Sequence, residues 1–442
     1  MTRSRGRACD SREATVTAAG QPRTVVVVGG GIVGLSVAWF LQEHGVEVTV
    51  VERAEVGAGA SWGNAGWISP GLAIPLPEPS VLRYGFRSLM DPDAPLYVPT
   101  KPDPKLWAFL TRFASHCTMP QWRKAMKHYL PVNAGALDAF DVLTGNGVAA
   151  KTVDAPIMAA FERAEQAADL RHELELINQA GQEIKFTELS GAEVRKAVPQ
   201  VSGNVELALR LDGQRYIDPG AFTQALADAV RERGGEIRTG FTARTLRHGP
   251  KGVTVEAFAG DPVHADTVVL ATGSWLDELA RPLGVKMPVR AGRGYSFSVP
   301  VTEDVPCPVY FPAVRVACTP YQGRLRVAGT MEFRHADAPL DPRRVTSIVN
   351  SARKLLTGVD WTERAETWVG PRPVTPDGLP LIGETKVPGV YVAGGHGMWG
   401  VTLGPLTGQL LAEQMVTGKA PAALHPFDPH RGGLRSLVRR SA

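Results

Sequence analysis

Three glycines and one acid carry the first readable chemistry in this chain. Gly29, Gly31 and Gly34 follow the run Val25-Val26-Val27-Val28 with the spacing G-x-G-x-x-G, and Glu52 ends a second valine-rich run, Val48-Thr49-Val50-Val51. Gly29 allows a sharp turn out of a strand, Gly31 lets a pyrophosphate approach the backbone, and Gly34 lets the next helix pack close to the sheet. Ile32 and Val33 open that helix, whose unpaired N–H groups face phosphates, while Glu52 accepts from ribose hydroxyls. The pattern predicts dinucleotide binding. The carboxylate favours a free ribose over a 2′-phosphate, so NAD and FAD stay open and NADP is disfavoured, with Arg53 beside the acid complicating that preference.

The elements that must position these groups are spread along the chain. A second small-residue segment, Gly57 to Gly66, reads as a loop able to lie against a ligand, and prolines between Pro70 and Pro104 mark an irregular connection. Helical patterns are predicted over Leu106 to Thr144, with breaks, and over Pro156 to Gln179. Asp218-Pro219 reads as an N-cap and first helical residue of a helix ending at Gly234-Gly235. Thr267 to Leu270 and Val390 to Ala393 read as buried strands running into Thr272-Gly273 and into Gly394-Gly395-His396-Gly397, and a helix follows from about Thr402 to Met415. Dinucleotide machinery thus recurs at the front, middle and end of the chain. An NAD dehydrogenase usually keeps its nucleotide unit in one piece, whereas a long FAD spanning two domains suits an interrupted one.

The predicted fold class is α/β: a discontinuous Rossmann-type FAD-binding domain plus an α+β substrate domain with a mixed or antiparallel sheet. The expected boundaries are a leader over 1–22, the FAD-binding domain over 23–100, 201–288 and 365–430, the substrate domain over 101–200 and 289–364, and a basic tail over 431–442. Composition narrows the rest. The net charge of +4 is small and dispersed, which argues against nucleic acid as a partner, and four cysteines without a C-x-x-C pair signal neither metal nor disulfides. The expected setting is cytoplasmic; the arginines of the tail (Arg431, Arg435, Arg439, Arg440) leave a weak contact with the inner face of the membrane open.

Four further motifs occur in order: Ser61-x-x-Asn64-Ala65-Gly66-x-Ile68-Ser69-Pro70-Gly71, Gly294-Tyr295-Ser296, Arg372-Pro373-x-Thr375-Pro376-Asp377-Gly378-x-Pro380, and Gly395-His396-Gly397-x-x-Gly400-x-Thr402. With the fingerprint they make the chain resemble the D-amino acid dehydrogenase (small-subunit type) and glycine oxidase group of the D-amino acid oxidase family, from Arg23 to about Pro421. The resemblance implies FAD as cofactor. No cysteine lies beyond Cys318, so a cysteine linkage near the C-terminal segment is not available and the FAD is expected to be non-covalent. Met398-Trp399 is a departure from the group, and it puts the shape of the substrate pocket in doubt.

The implied reaction is oxidative deamination of a small amino acid, D-configured by resemblance, with hydride passing to flavin N5 and electrons to a quinone or carrier. Open alternatives are an oxygen-using oxidase of glycine, sarcosine or a proline derivative, and a flavoprotein subunit whose FAD is structural. Arg372 is expected to clamp the substrate carboxylate, since a guanidinium matches it bidentately, unless it pairs with an acid such as Asp377. Tyr295 is expected as a second contact and Tyr310 as a third. His396 is expected to donate at the flavin or line the substrate cavity, beside Gly397, Gly400, Val401 and Thr402 at a helix N-terminus aimed at the flavin. Ala60, Ser61, Asn64, Ala65 and Gly66 are expected along the pyrophosphate and flavin, Thr242 and Ala243 at adenine, and Thr272 and Gly273 over the ADP portion. No catalytic base is required, because the amine can lose its proton to water.

Overall fold

The computed structural model describes residues 21–82, 96–98 and 103–431. The basic tail beyond Arg431 and nearly all of the leader lie outside the described residues.

Strand Thr24–Val28 is almost wholly buried and β-branched, as suits the middle of a parallel sheet covered on both faces. It pairs in parallel with Glu47–Val51 on one side and Thr267–Leu270 on the other. Glu236–Arg238 extends one edge, and Val390–Gly394 with the antiparallel Leu381–Glu384 completes the other, giving six strands. Helix Ile32–Glu43 packs against helices Gly400–Thr417 and Pro219–Glu232. Asp218 caps the latter as the sequence predicts, its carboxylate accepting from the N–H groups of Gly220 and Ala221 at 3.1 Å each.

A second, mixed sheet of nine strands carries the rest of the site. Ala365–Val374, Arg290–Pro300, Arg324–Phe333, Val316–Tyr321 and Val309–Phe311 follow one another antiparallel. Beyond them lie Ile157–Phe161, Leu207–Leu211 and Phe186–Ser190. One face buries Tyr295, Phe297, Val299, Leu325 and Val327 against helix Pro342–Ala352.

Three expectations need correction. The helix predicted from Pro156 begins instead at Ala167, because Ile157–Phe161 is a fully buried strand between two partners. A five-residue apolar run fits a buried strand or a buried helix turn equally well. Leu207–Leu211 and Ala365–Val374 fell inside the expected nucleotide-domain boundaries, yet both pair in the nine-stranded sheet. Arg431, expected to begin the basic tail, instead belongs to the fold, docked on Asp377 at 2.8 Å.

Candidate active site

The turn after Thr24–Val28 shows why glycine is needed there. Gly29 has φ +117°, and a Cβ on Gly34 would lie 2.0 Å from the Gly29 carbonyl oxygen, so the helix can start only over a bare backbone. Glu52 reaches back across this turn, accepting from Gly30 N–H at 2.7 Å and Ala54 N–H at 3.0 Å. An ionised carboxylate has further lone pairs to offer ribose hydroxyls. Ser61 Oγ accepts from Ile32 N–H at the helix start (3.0 Å), leaving its own hydrogen free to donate. Arg53 is not offered to a 2′-phosphate: it pairs with Asp337 at 3.1 Å and lies over the Trp275 ring.

The loop after Ser61 is fastened carbonyl by carbonyl to the nine-stranded sheet and its surroundings. Arg326 donates to Trp62 O (3.0 Å), Ser296 to Gly63 O (2.7 Å), Thr319 to Ala65 O (2.7 Å) and the Ile217 N–H to Gly66 O (2.8 Å). Six-stranded and nine-stranded sheets therefore meet along this loop. Between them runs a cavity lined by Gly29, Gly31, Ile32, Val33, Glu52 and Arg53 of the fingerprint unit, by Thr242, Ala243, Thr272 and Gly273, by Ala60, Ser61 and Asn64 of the loop, and by Arg372, His396, Gly397, Gly400 and Val401. Gly34, Ala65, Gly66 and Thr402 back this wall without lining it. Thr402 Oγ1 donates to Trp67 O and accepts from Ser69 N–H, tying loop to helix. The residues fit a long dinucleotide such as FAD: the fingerprint turn and the helix start line the cavity, and the buried Thr272 Oγ1 on the same wall has no hydrogen-bond partner among the described residues.

The register of three strands places Arg372. It sits opposite Gly292, and a Cβ on Gly294 would lie 2.1 Å from its Nη2, so the guanidinium lies across a bare glycine. The neighbouring strand bulges there. Arg293 faces Glu332 while Tyr295 faces Gly329, so Thr330 and Met331 together oppose Gly294. Thr330 takes φ +59°, a left-handed conformation costly for a β-branched residue, and its carbonyl accepts from Arg372 Nη1 at 2.9 Å. Asp377, the acid that could have claimed Arg372, is held by Arg431 instead. Among the described residues Arg372 therefore has no carboxylate partner, and burial pulls its pKa down to about 10. It is an uncompensated cation facing the cavity.

Tyr295 is corrected. Strand alternation turns it to the face opposite Gly294, where its hydroxyl donates to buried Glu332 at 2.6 Å and accepts from Asp341 N–H. Glu332 is also paired with the fully buried Arg293 at 3.0 Å, so this face holds an ionic core. Tyr310 also lies away from the cavity, edge-on to Trp67 and 3.5 Å from Arg315 Nη1. His396 lines the cavity, but its Nε2 bonds Thr407 Oγ1 at 2.9 Å, and burial lowers its pKa to about 4, which keeps the ring neutral. Met398 lines the cavity as well. Trp399 is turned away, its indole N–H donating to Ile74 O. The sequence reading missed Asp337, Trp275 and Phe241 on the cavity wall. Phe241 and Trp275 border segments already singled out and were within reach; no local pattern marks Asp337.

The comparisons with known proteins agree with this geometry. The family described as FAD dependent oxidoreductase (DAO) matches residues 24–414. The chain is 33% identical to a D-amino acid dehydrogenase of Methylobacterium nodulans, over 91% of this chain and 97% of that one. Among solved structures it resembles glycine oxidase from Geobacillus kaustophilus, with a TM-score of 0.70 and 22% identity over 93% of this chain and 98% of that one. It also resembles L-alpha-glycerophosphate oxidase from Mycoplasma pneumoniae with FAD bound, with a TM-score of 0.69 and 18% identity over 90% and 95% of the two chains. Among the described residues no helix is long and apolar enough to cross a membrane. A fingerprint and a cation without a carboxylate partner among the described residues share one cavity, and with a family match over residues 24–414 they lead to one conclusion: this protein belongs to the DAO family of FAD-dependent oxidoreductases.

Proposed function

We propose that the protein oxidises a small amino acid, preferentially of D configuration, to its imino acid, which water hydrolyses to a 2-oxo acid and ammonia. The observation that carries this reading is Arg372: a half-buried guanidinium with no acid partner among the described residues, lining the same cavity as the dinucleotide fingerprint. A cation held this way is made for an incoming anion, and a guanidinium takes a carboxylate through two parallel N–H donors. FAD, when bound, supplies the two-electron acceptor for the substrate's Cα hydrogen. Thr330 O fixes one arm of the guanidinium, so the remaining donors keep a constant direction and the substrate carboxylate a constant position. His396 stays neutral and adds no second cation beside the amine. Met398, on the same wall, limits the side chain that fits. The amine gives its proton to water before the Cα hydrogen leaves. Preference for D substrates is supported by the activity named for the Methylobacterium relative, and a quinone or carrier as electron acceptor belongs to the same proposal. A cytoplasmic setting is part of the same reading, in keeping with three buried free thiols, Cys117, Cys307 and Cys318.

The test is anaerobic. D-amino acids, their L forms, glycine, sarcosine and D-proline are added singly to the holoenzyme while the oxidised-flavin band is followed. Bleaching by D forms alone is the expected result, with slow recolouring on readmission of air. Bleaching by sarcosine or glycine with fast recolouring would replace this reading with an oxygen-using amine oxidase. A band that none of them bleaches would refute it.

A further inference from the structure

The nucleotide end of the cavity is bridged by three side chains from distant parts of the chain. Arg53 follows strand Glu47–Val51 and Trp275 follows strand Thr267–Leu270, both in the six-stranded sheet, whereas Asp337 comes from the loop after Arg324–Phe333 in the nine-stranded sheet. Asp337 divides its carboxylate between them: Oδ1 accepts from Arg53 Nη2 at 3.1 Å and Oδ2 from Trp275 Nε1 at 3.0 Å. Arg53 closes the triangle, its guanidinium carbon 3.6 Å from the centre of the Trp275 ring. All three line the same cavity as Glu52, Thr242 and Gly273. We propose that Arg53, Asp337 and Trp275 form a clasp over the ADP end of bound FAD and set the rate at which the cofactor leaves.

The clasp has a fixed root and a breakable tip. At the root, buried Arg293 donates to Ala338 O and Pro339 O at 2.6 and 3.1 Å, and the Tyr295 hydroxyl accepts from Asp341 N–H. Both residues are locked to Glu332 inside the sheet, so the ionic core beneath the site anchors the loop that reaches over the nucleotide. At the tip, the side chains of Arg53 and Asp337 are 40% and 49% exposed, so their pairing competes with water and salt. Opening breaks the two contacts of Asp337, one exposed ion pair and one indole hydrogen bond, together a factor of about ten in an opening equilibrium. The Arg53–Trp275 stacking lies on one side of the gap and survives. Burial alone would raise the Asp337 carboxyl, but the Trp275 N–H and the Arg53 guanidinium outweigh it and hold the group ionised. This proposal rests on FAD as the cofactor and is independent of which amine is oxidised.

Holoenzyme is diluted without free flavin, and release is followed by the rise in FAD fluorescence, with no substrate present. Asp337→Ala is expected to release FAD about tenfold faster than wild type. Raising the salt should accelerate release from wild type and leave Asp337→Ala unchanged. The exchanged pair, Arg53→Asp with Asp337→Arg, rebuilds the ion pair but neither the acceptor for the Trp275 indole nor the stacking on its ring. It should therefore recover the salt dependence and part of the slow release. Thermal unfolding of each apoprotein is read in parallel. Wild-type release from Asp337→Ala would overturn the proposal. So would faster release that tracks a lower apoprotein Tm and is not rescued by the exchange. Neither result would touch the proposed amine oxidation, because no turnover is measured.

Discussion

Replacing Arg372 by methionine should damage catalysis and spare, or even raise, the stability of the apoprotein. The two effects have separate causes in the geometry. One arm of the guanidinium is spent on Thr330 O, and among the described residues the remaining N–H groups have no other acceptor and line the cavity. Two charge-assisted hydrogen bonds to a substrate carboxylate contribute about 1.5–3 kcal/mol each, so their loss should lower kcat/KM by roughly 10²–10⁴-fold. Part of the loss falls on KM, because the carboxylate is held in the ground state too, and part on kcat, because a substrate held at one point only presents its Cα–H less well. The stability effect runs the other way. Burial lowers the Arg372 pKa to about 10, meaning that the folded protein disfavours the charge it carries at neutral pH. That lowering corresponds to roughly 3 kcal/mol. Exposure to cavity water and loss of the Thr330 contact reduce the gain from methionine to about 0–2 kcal/mol.

The assay pairs two measurements on the same protein: the rate and substrate dependence of anaerobic flavin bleaching, and the Tm of the apoprotein. A clamp retained for function at some expense of stability predicts slower bleaching with FAD fully bound and an apoprotein Tm at or above wild type. Unchanged kcat/KM with a lower Tm would make Arg372 a structural cation and refute the reasoning.

Four further outcomes follow from the same coordinates. Gly294→Ala puts a methyl 2.1 Å from Arg372 Nη2, and should raise the substrate Kd at least about tenfold with flavin occupancy unchanged, as read by titration of the flavin spectrum. Thr330→Gly removes a left-handed threonine, worth about 1–2 kcal/mol of strain against at most about 1 kcal/mol of added chain entropy, so urea unfolding should show stability equal to or above wild type. Glu332→Ala leaves fully buried Arg293 without its carboxylate, and should cost about 3–5 kcal/mol in the same assay. His396 has a folded pKa of about 4, below its unfolded value near 6.5, so the unfolded chain takes up the proton first as pH falls. Its contribution is complete above pH 6.5 and lost towards pH 4, up to about 3 kcal/mol, and His396→Asn should flatten that part of the stability–pH curve.

What could be read from the sequence was whatever a single strand–turn–helix unit settles by itself. Gly29, Gly34 and Glu52 meet within 24 residues, and Asp218 caps its own helix, so spacing alone carries them. The Arg372 end depends on something else, the parity of one strand. In Arg290–Pro300 the small residues Gly292, Gly294, Ser296 and Ser298 alternate with Arg293, Tyr295, Phe297 and Val299. Tyr295 looks chemically apt, but it shares the large-residue face, which fills the ionic core and the packing against helix Pro342–Ala352. The small face leaves room for groups brought from elsewhere: Arg372 across Gly294, and the Gly63 carbonyl on Ser296. Alternation of size was therefore a better guide than the identity of one aromatic residue.

The bulge at Thr330 was harder to read, for a definite reason. Glycine is the usual occupant of a left-handed bulge, and Gly329 stands immediately before the residue that adopts it. A reader placing the bulge by propensity would put it one residue early. That extra residue reverses the facing of everything after it: Leu325 and Val327 lie on the apolar face, and after the bulge it is Glu332 that joins Arg293 and Tyr295 there. The same residue turns its carbonyl to Arg372. One strained threonine thus aims the cation on one face and closes the ionic core on the other, and that core anchors the loop carrying Asp337 to Arg53 across 284 residues. The Arg372 clamp and the proposed Asp337 clasp thus both lean on this strand, so a substitution that removes the bulge should disturb both substrate binding and FAD retention, while one that only relieves its strain should disturb neither.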